Sequence, residues 1–205
     1  MKKKKEITDV VFILDRSGSM QGSETDTIGG YNSYIKDFKE KKANITTVLF
    51  DDKYEMITKR EDVKLVKELT KEKYFVRGCT ALLDAIGKSI KFMEQENAKK
   101  VIFIITTDGY ENASRKYNKT QIKEMIQAHK DWEFMYIGAD IDSYSEGESI
   151  GISRSNIANY KKDGKGISKL FKAAYMASEC FCEEKEISST WKEELDEYIE
   201  ENNIS

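Results

Sequence analysis

Proline is absent from this chain of 205 residues, and histidine occurs once, as His129. The lack of proline, beside plentiful Lys, Glu, Ile and Asn, is compatible with an AT-rich genome and excludes no function. The scarcity of histidine says more. His129 falls on the apolar stripe of an expected helix, where a partly buried structural role suits it, and general base chemistry is left without an evident agent. Three cysteines, an odd number, argue against a disulfide framework, so a reduced, cytoplasmic setting is the default expectation. No stretch approaches the ~18 consecutive apolar residues that span a bilayer. The lysines at 2 to 5 run directly into Glu6 and a strand-like segment without a small-residue cleavage site, so no signal peptide is expected. Basic excess is missing too. With 34 basic against 37 acidic residues and a net charge of -3, the chain lacks the footprint of a nucleic-acid binder. The four lysines read as a solvated tail.

What is present is a regular alternation of strand and helix patterns. Residues 9 to 14 (DVVFIL) form a continuous apolar run, as does the run at 101 to 106 (VIFIIT), and each reads as a strand buried on both faces. A polar, Gly/Ser-rich loop follows the first. Tyr31, Tyr34, Ile35 and Phe38 then recur at helical spacing. Residues 45 to 50 make the next strand, and Asp51-Asp52-Lys53 turns it into residues 54 to 57, an antiparallel hairpin at a sheet edge. The pattern predicts a short helix over 61 to 71, a helix from about Thr80 with Leu82, Ile86, Ile90 and Met93 inward, and another over 119 to 130. Residues 133 to 137 and 156 to 160 are further strands, and a helix covers 166 to 183. An acidic helix over 189 to 201 carries Trp191, Leu195, Tyr198 and Ile199 on one face. These elements suit one domain over residues 1–185, with its core at about 7–182, and a C-terminal helix within 186–205 packed on it. The fold class is α/β, a Rossmann-like doubly wound and mostly parallel sheet with one antiparallel edge strand and helices on both faces.

Ligands of such sheets bind beyond the carboxyl ends of the strands, which directs attention to three loops. The first reads Asp15-Arg16-Ser17-Gly18-Ser19, a D-x-S-x-S spacing directly after a buried strand. Gly18 permits a sharp turn, so both hydroxyls can face the point that the carboxylate faces. A carboxylate with neutral hydroxyls is a hard oxygen set, suited to Mg2+ or Mn2+ rather than zinc. The second loop opens the helix near Thr80, whose hydroxyl either caps that helix or turns toward a metal. The third, Thr107-Asp108-Gly109, again puts an acid at the end of a buried strand.

The segments DRSGSM, GCTALLDAI and ITTDGYEN, in this order, resemble the metal-ion-dependent adhesion site (MIDAS) of von Willebrand factor A domains. The similarity covers roughly residues 7 to 182. It implies that Asp15, Ser17, Ser19, Thr80 and Asp108 coordinate a divalent cation, Mg2+ first with Mn2+ or Ca2+ possible, Asp108 directly or through water. Two carboxylates and neutral hydroxyls leave at least one of about six positions to water and keep the ion electrophilic. A Glu or Asp side chain of a partner protein would complete the shell. The DRSGSM-like loop, the single domain and the absence of a signal peptide suit a bacterial or phage module. Cys79 stands where the family usually has glycine. Tyr110, Glu111 and Arg16 border the expected ion, where they either set partner selectivity or are ordinary loop residues.

Other readings stay open. Asp15 could simply cap a turn. The chain could be a subunit of an ATP-driven metal-insertion or stress-resistance complex, recruiting a separate ATPase, since it carries no Walker-type loop. It could also be a structural α/β domain with an empty site. Catalysis is not expected. An aspartyl-phosphate hydrolase typically carries a second Asp where Ser17 stands, and no G-x-S-x-G elbow surrounds either serine. Cys180 and Cys182, two residues apart on a helix, do not face each other, which argues against zinc there.

Overall fold

Strand β1 (Thr8–Asp15) is buried at all eight positions. The computed structural model describes residues 6–185 and 187–203, so the lysine run at 2 to 5 lies outside the described residues. Five successive side chains of β1, Val10 to Leu14, have no solvent exposure. Burying each contributes roughly 1.5–3 kcal/mol, so the strand that ends in Asp15 is firmly anchored. It lies between β2 (Ala43–Phe50) and β4 (Lys100–Thr107) and runs parallel to both. With β3 (Tyr54–Asp62), β5 (Glu133–Gly138) and β6 (Ile157–Asn159) it forms a six-stranded sheet of order β3-β2-β1-β4-β5-β6. Only β3, at one edge, is antiparallel to its neighbour.

Alternate residues of β1 serve two separate cores. Val10, Phe12 and Leu14 pack with α1 (Glu24–Phe38) and α5 (Gly164–Cys182), while Val11 and Ile13 face α2 (Leu82–Gln95) and α3 (Lys119–Ala128). The periodic residues Tyr31, Tyr34, Ile35 and Phe38 are all buried, and Phe12 meets the Tyr31 and Tyr34 rings edge-on at 5.3 and 4.7 Å. Close approach of α1 to α5 depends on Gly30, where a Cβ would stand 2.2 Å from the Phe171 ring. The result is the doubly wound α/β sheet with helices on both faces.

Three local expectations are corrected. No helix forms over 61 to 71. Instead β3 continues to Asp62 and an irregular segment follows. Val63, Val66, Leu69 and Tyr74 are buried there at a spacing that mimics a helix. The Asn32 side chain explains why: its Nδ2 donates to Leu69 O at 2.9 Å and its Oδ1 accepts from Leu69 N at 2.7 Å. That side chain takes both backbone groups of Leu69, which a helix would have used for itself. A short helix α4 (Ser143–Ser149) was not expected. Its sequence SYSEGES has no aliphatic stripe, and its start is set by Asp142, which accepts from Ser145 N at 3.0 Å. The C-terminal segment begins as a 3-10 turn (Ser189–Lys192) before α6 (Glu193–Asn203). Trp191, Leu195 and Tyr198 are buried, and Lys192 Nζ donates to Ile157 O at 2.7 Å, so this segment covers the β6 edge of the sheet. His129 follows α3, stacks on Trp132 and lies 2.9 Å from Glu94 Oε1.

Candidate metal centre

Parallel pairing of β1 with β4 brings their carboxyl ends together, with Leu14 opposite Thr106. Asp15 and Asp108 therefore emerge side by side, and both are buried. Asp15 Oδ1 accepts from Ser17 N at 2.7 Å, and Oδ2 accepts from Thr107 Oγ1 at 2.6 Å. Burial pushes the Asp15 carboxyl up to about 6, against the pull of the Thr107 and Ser17 hydrogen bonds, and the Asp108 charge adds to the rise. All its donors are neutral.

A chain of hydroxyls links the two acids. Ser17 Oγ lies 3.0 Å from Ser19 Oγ, which donates to Asp108 Oδ1 at 2.5 Å. Thr80 joins them from the second loop. A Cβ on Gly109 would stand 3.1 Å from Thr80 Oγ1 and 3.3 Å from Ser19 Oγ, so the glycine lets both hydroxyls close over the β4 end. Thr80 does not cap α2: the N-cap position is Ala81, and no side chain caps there. Its backbone is held instead by Asn112, whose Oδ1 accepts from Thr80 N at 2.9 Å. All five expected site residues thus meet at the carboxyl end of the sheet.

The first and second loops are joined by a buried ionic clamp. Arg16 is wholly buried and points away from the site, its Nε 2.9 Å from Asp51 and its Nη1 2.8 Å from Glu55. Arg77 adds a second guanidinium 2.8 Å from Asp51, and both arginines face the Phe75 ring. Burial works against the charged form of Asp51, but the Arg77, Lys53 and Arg16 contacts outweigh it and hold the carboxyl below its usual range. Backbone bonds from Arg77 N to Arg16 O and from Gly18 N to Gly78 O complete the tie. Gly78 has φ of +68°, and a Cβ there would stand 2.3 Å from Asp52 Oδ1, so glycine is required at this point. Cys79 is exposed and outside the positive-φ residues, so a side chain is accommodated where the family usually has glycine.

Two expected rim residues are not at the rim. Arg16 belongs to the clamp, and the Glu111 carboxylate accepts from the Leu83, Ala113 and Ser114 amides, fixing its own loop to the start of α2. Tyr110 is 52% exposed. Two contributors went unnoticed in the sequence. Thr107, which orients Asp15, could have been found as the residue paired with the end of β1. Lys162 lies beyond β6, so the rule that directs attention to strand ends applied to it as well.

Among the described residues no group of three or more His, Cys, Asp or Glu could hold a metal ion. A cation here would depend on hydroxyls beside the two carboxylates. Asp108 Oδ2 is buried, and the group that faces it is the Lys162 ammonium 2.8 Å away. An all-oxygen set built on two buried carboxylates fits a hard divalent ion.

No protein-family model matches the chain, and no curated protein does. Solved structures do. Proximal thread matrix protein 1 from the mussel byssus is 17% identical at a TM-score of 0.61, over 82% of this chain and 45% of its own. Another structure of that protein has a zinc-occupied MIDAS motif. The ArnB paralog VWA2 of Sulfolobus acidocaldarius is 20% identical at a TM-score of 0.60, over 82% of this chain and 44% of its own. A von Willebrand factor type A protein from Catenulispora acidiphila is 14% identical at a TM-score of 0.58, over 85% of this chain and 43% of its own. The present chain thus corresponds to under half the length of each. At such identities the likeness is one of architecture: the chain has the fold of a von Willebrand factor A domain.

Proposed function

We propose that the chain is a cation-dependent protein-recognition module, in which Asp15, Ser17, Ser19, Thr80 and Asp108 hold a divalent ion. The observation that carries this reading is the meeting of two buried acids and three hydroxyls at the carboxyl end of the sheet. Mg2+ is the first choice for this oxygen set, with Mn2+ and Ca2+ as alternatives, and zinc enters because a fold relative holds it in its MIDAS. The bound ion would supply an electrophilic position for an anionic oxygen, and a Glu or Asp side chain of a partner protein is the ligand proposed for it. Asp15 is oriented for this by Thr107 and Ser17, and the Arg16–Asp51 clamp holds the Ser17 and Thr80 loops in register.

Thermal melts with Mg2+, Mn2+, Ca2+ and Zn2+ test the ion. At 100 times its Kd a cation stabilises the wild type by about 2.7 kcal/mol. That corresponds to a rise of roughly 5–10 °C in a chain of this size, while Asp15→Ala should show none. Equal shifts in both proteins would sink the reading. A pull-down with Mg2+, repeated in EDTA, tests the partner.

A further inference from the structure

The loop between β6 and α5 sends a lysine into the candidate metal centre. Lys162 Nζ lies 2.8 Å from Asp108 Oδ2 and donates to the Ser19 carbonyl at 2.5 Å. Its side chain is 22% exposed. The loop is pinned on both sides of it. Before it, Tyr160 is buried and its N–H donates to Gly138 O at 2.9 Å. After it, Asp163 caps α5 through Gly166 N at 2.7 Å and accepts from Tyr198 OH. Gly166 packs so tightly on Lys161 that a Cβ would stand 1.9 Å from its carbonyl oxygen. The ammonium is therefore delivered to Asp108 by fixed backbone.

We propose that Lys162 is a tethered competitor for the cation: its ammonium neutralises Asp108 in the ion-free chain and must leave that carboxylate when a divalent ion binds. The proposal rests on the metal-site reading above. The physical ground is charge. Asp108 and the Ser19 carbonyl present negative potential on one side of the centre, and the ammonium supplies one positive charge there. A divalent ion held by Asp108 would sit within a few ångströms of that charge, where like charges repel strongly in a partly buried setting. Binding then includes the work of moving the ammonium outward, which weakens the affinity. The same contact stabilises the ion-free fold, because without it two buried carboxylates face each other across neutral hydroxyls.

Isothermal titration of the whole chain with MgCl2 and MnCl2 tests this, on wild type, Lys162→Met and Lys162→Arg. Removing the charge should tighten binding about tenfold or more, a gain of about 1.4 kcal/mol per factor of ten. Lys162→Met should also melt lower than wild type without cation and recover at saturating Mg2+. Lys162→Arg keeps the charge and should bind as the wild type does. If the wild type binds and Lys162→Met binds equally or more weakly, the competitor role is wrong while the metal site stands. An arginine variant as tight as the methionine one would overturn it too. If neither wild type nor Lys162→Met binds either cation, the metal-site reading falls and takes this proposal with it.

Discussion

Asp15 ends one strand and Asp51 directly follows its parallel neighbour, and both are buried acids, yet their surroundings are opposite. Asp51 sits between two guanidiniums and is held below its usual range. Asp15 has only neutral donors and is pushed up to about 6. The charge of Asp51 is consumed inside the fold, where it fastens two loops. The charge of Asp15 is left without a counter-ion of its own, the condition under which a bound cation gains most. Burial alone therefore does not mark a functional acid. What sets Asp15 apart from Asp51 is burial without a counter-charge.

The contrast can be broken most severely at the clamp. Arg16→Ala removes one of the two guanidiniums on Asp51 and leaves a buried gap, which should cost about 2–5 kcal/mol in urea denaturation. Added Mg2+ should not make up the loss. A near-normal denaturation midpoint would show that Arg77 alone can hold Asp51.

Acidity separates the two sites next. Asp15 titrates near 6 in the folded chain against an ordinary 3.8, so the folded state keeps its proton longer. Its contribution to stability is full below about pH 4 and is lost as pH rises through 6, about 3 kcal/mol in all. Asp51, lowered instead, contributes above its ordinary value and loses that contribution as pH falls through its folded one. In ion-free buffer, Asp15→Asn should flatten the fall in stability between pH 4 and pH 6. Saturating Mg2+ should flatten it in the wild type. An unchanged slope in both would place the uncompensated charge elsewhere.

Smaller effects are expected in the loop joining the two regions. Gly78→Ala forces a positive φ on a residue with a Cβ and crowds Asp52, which should cost about 1–3 kcal/mol and weaken cation binding as the Thr80 loop shifts. One residue on, Cys79→Ser changes an exposed side chain and should stay within about 0.5 kcal/mol of wild type. A large loss there would show the thiol to be packed.

Much of this architecture was legible because its signals are local. The apolar runs at 9 to 14 and 101 to 106 could hardly be anything but buried strands, and the stripe from Tyr31 to Phe38 repeats at the helical period. The loops that follow such strands are placed by the sheet itself, which is why Asp15, Ser17, Ser19 and Asp108 could be named together. Other features depend on partners far along the chain. Residues 63 to 74 bury side chains at helical spacing but form no helix, and Asn32, from α1, takes both backbone groups of Leu69. The α4 sequence lacks a stripe and starts on a cap. Arg16, beside two site residues in sequence, turns away because Asp51 and Glu55 wait behind it.

The sequence by itself determined which residues end the central strands and that hydroxyls accompany the acids there, since both follow from apolar runs and short spacings. Only the tertiary structure decided which acids would find counter-charges. Compensation depends on distances between loops that are remote in sequence: Arg16 to Asp51, Arg77 to Asp51 and Lys162 to Asp108. Electrostatic fields act through space, and no local pattern encodes them.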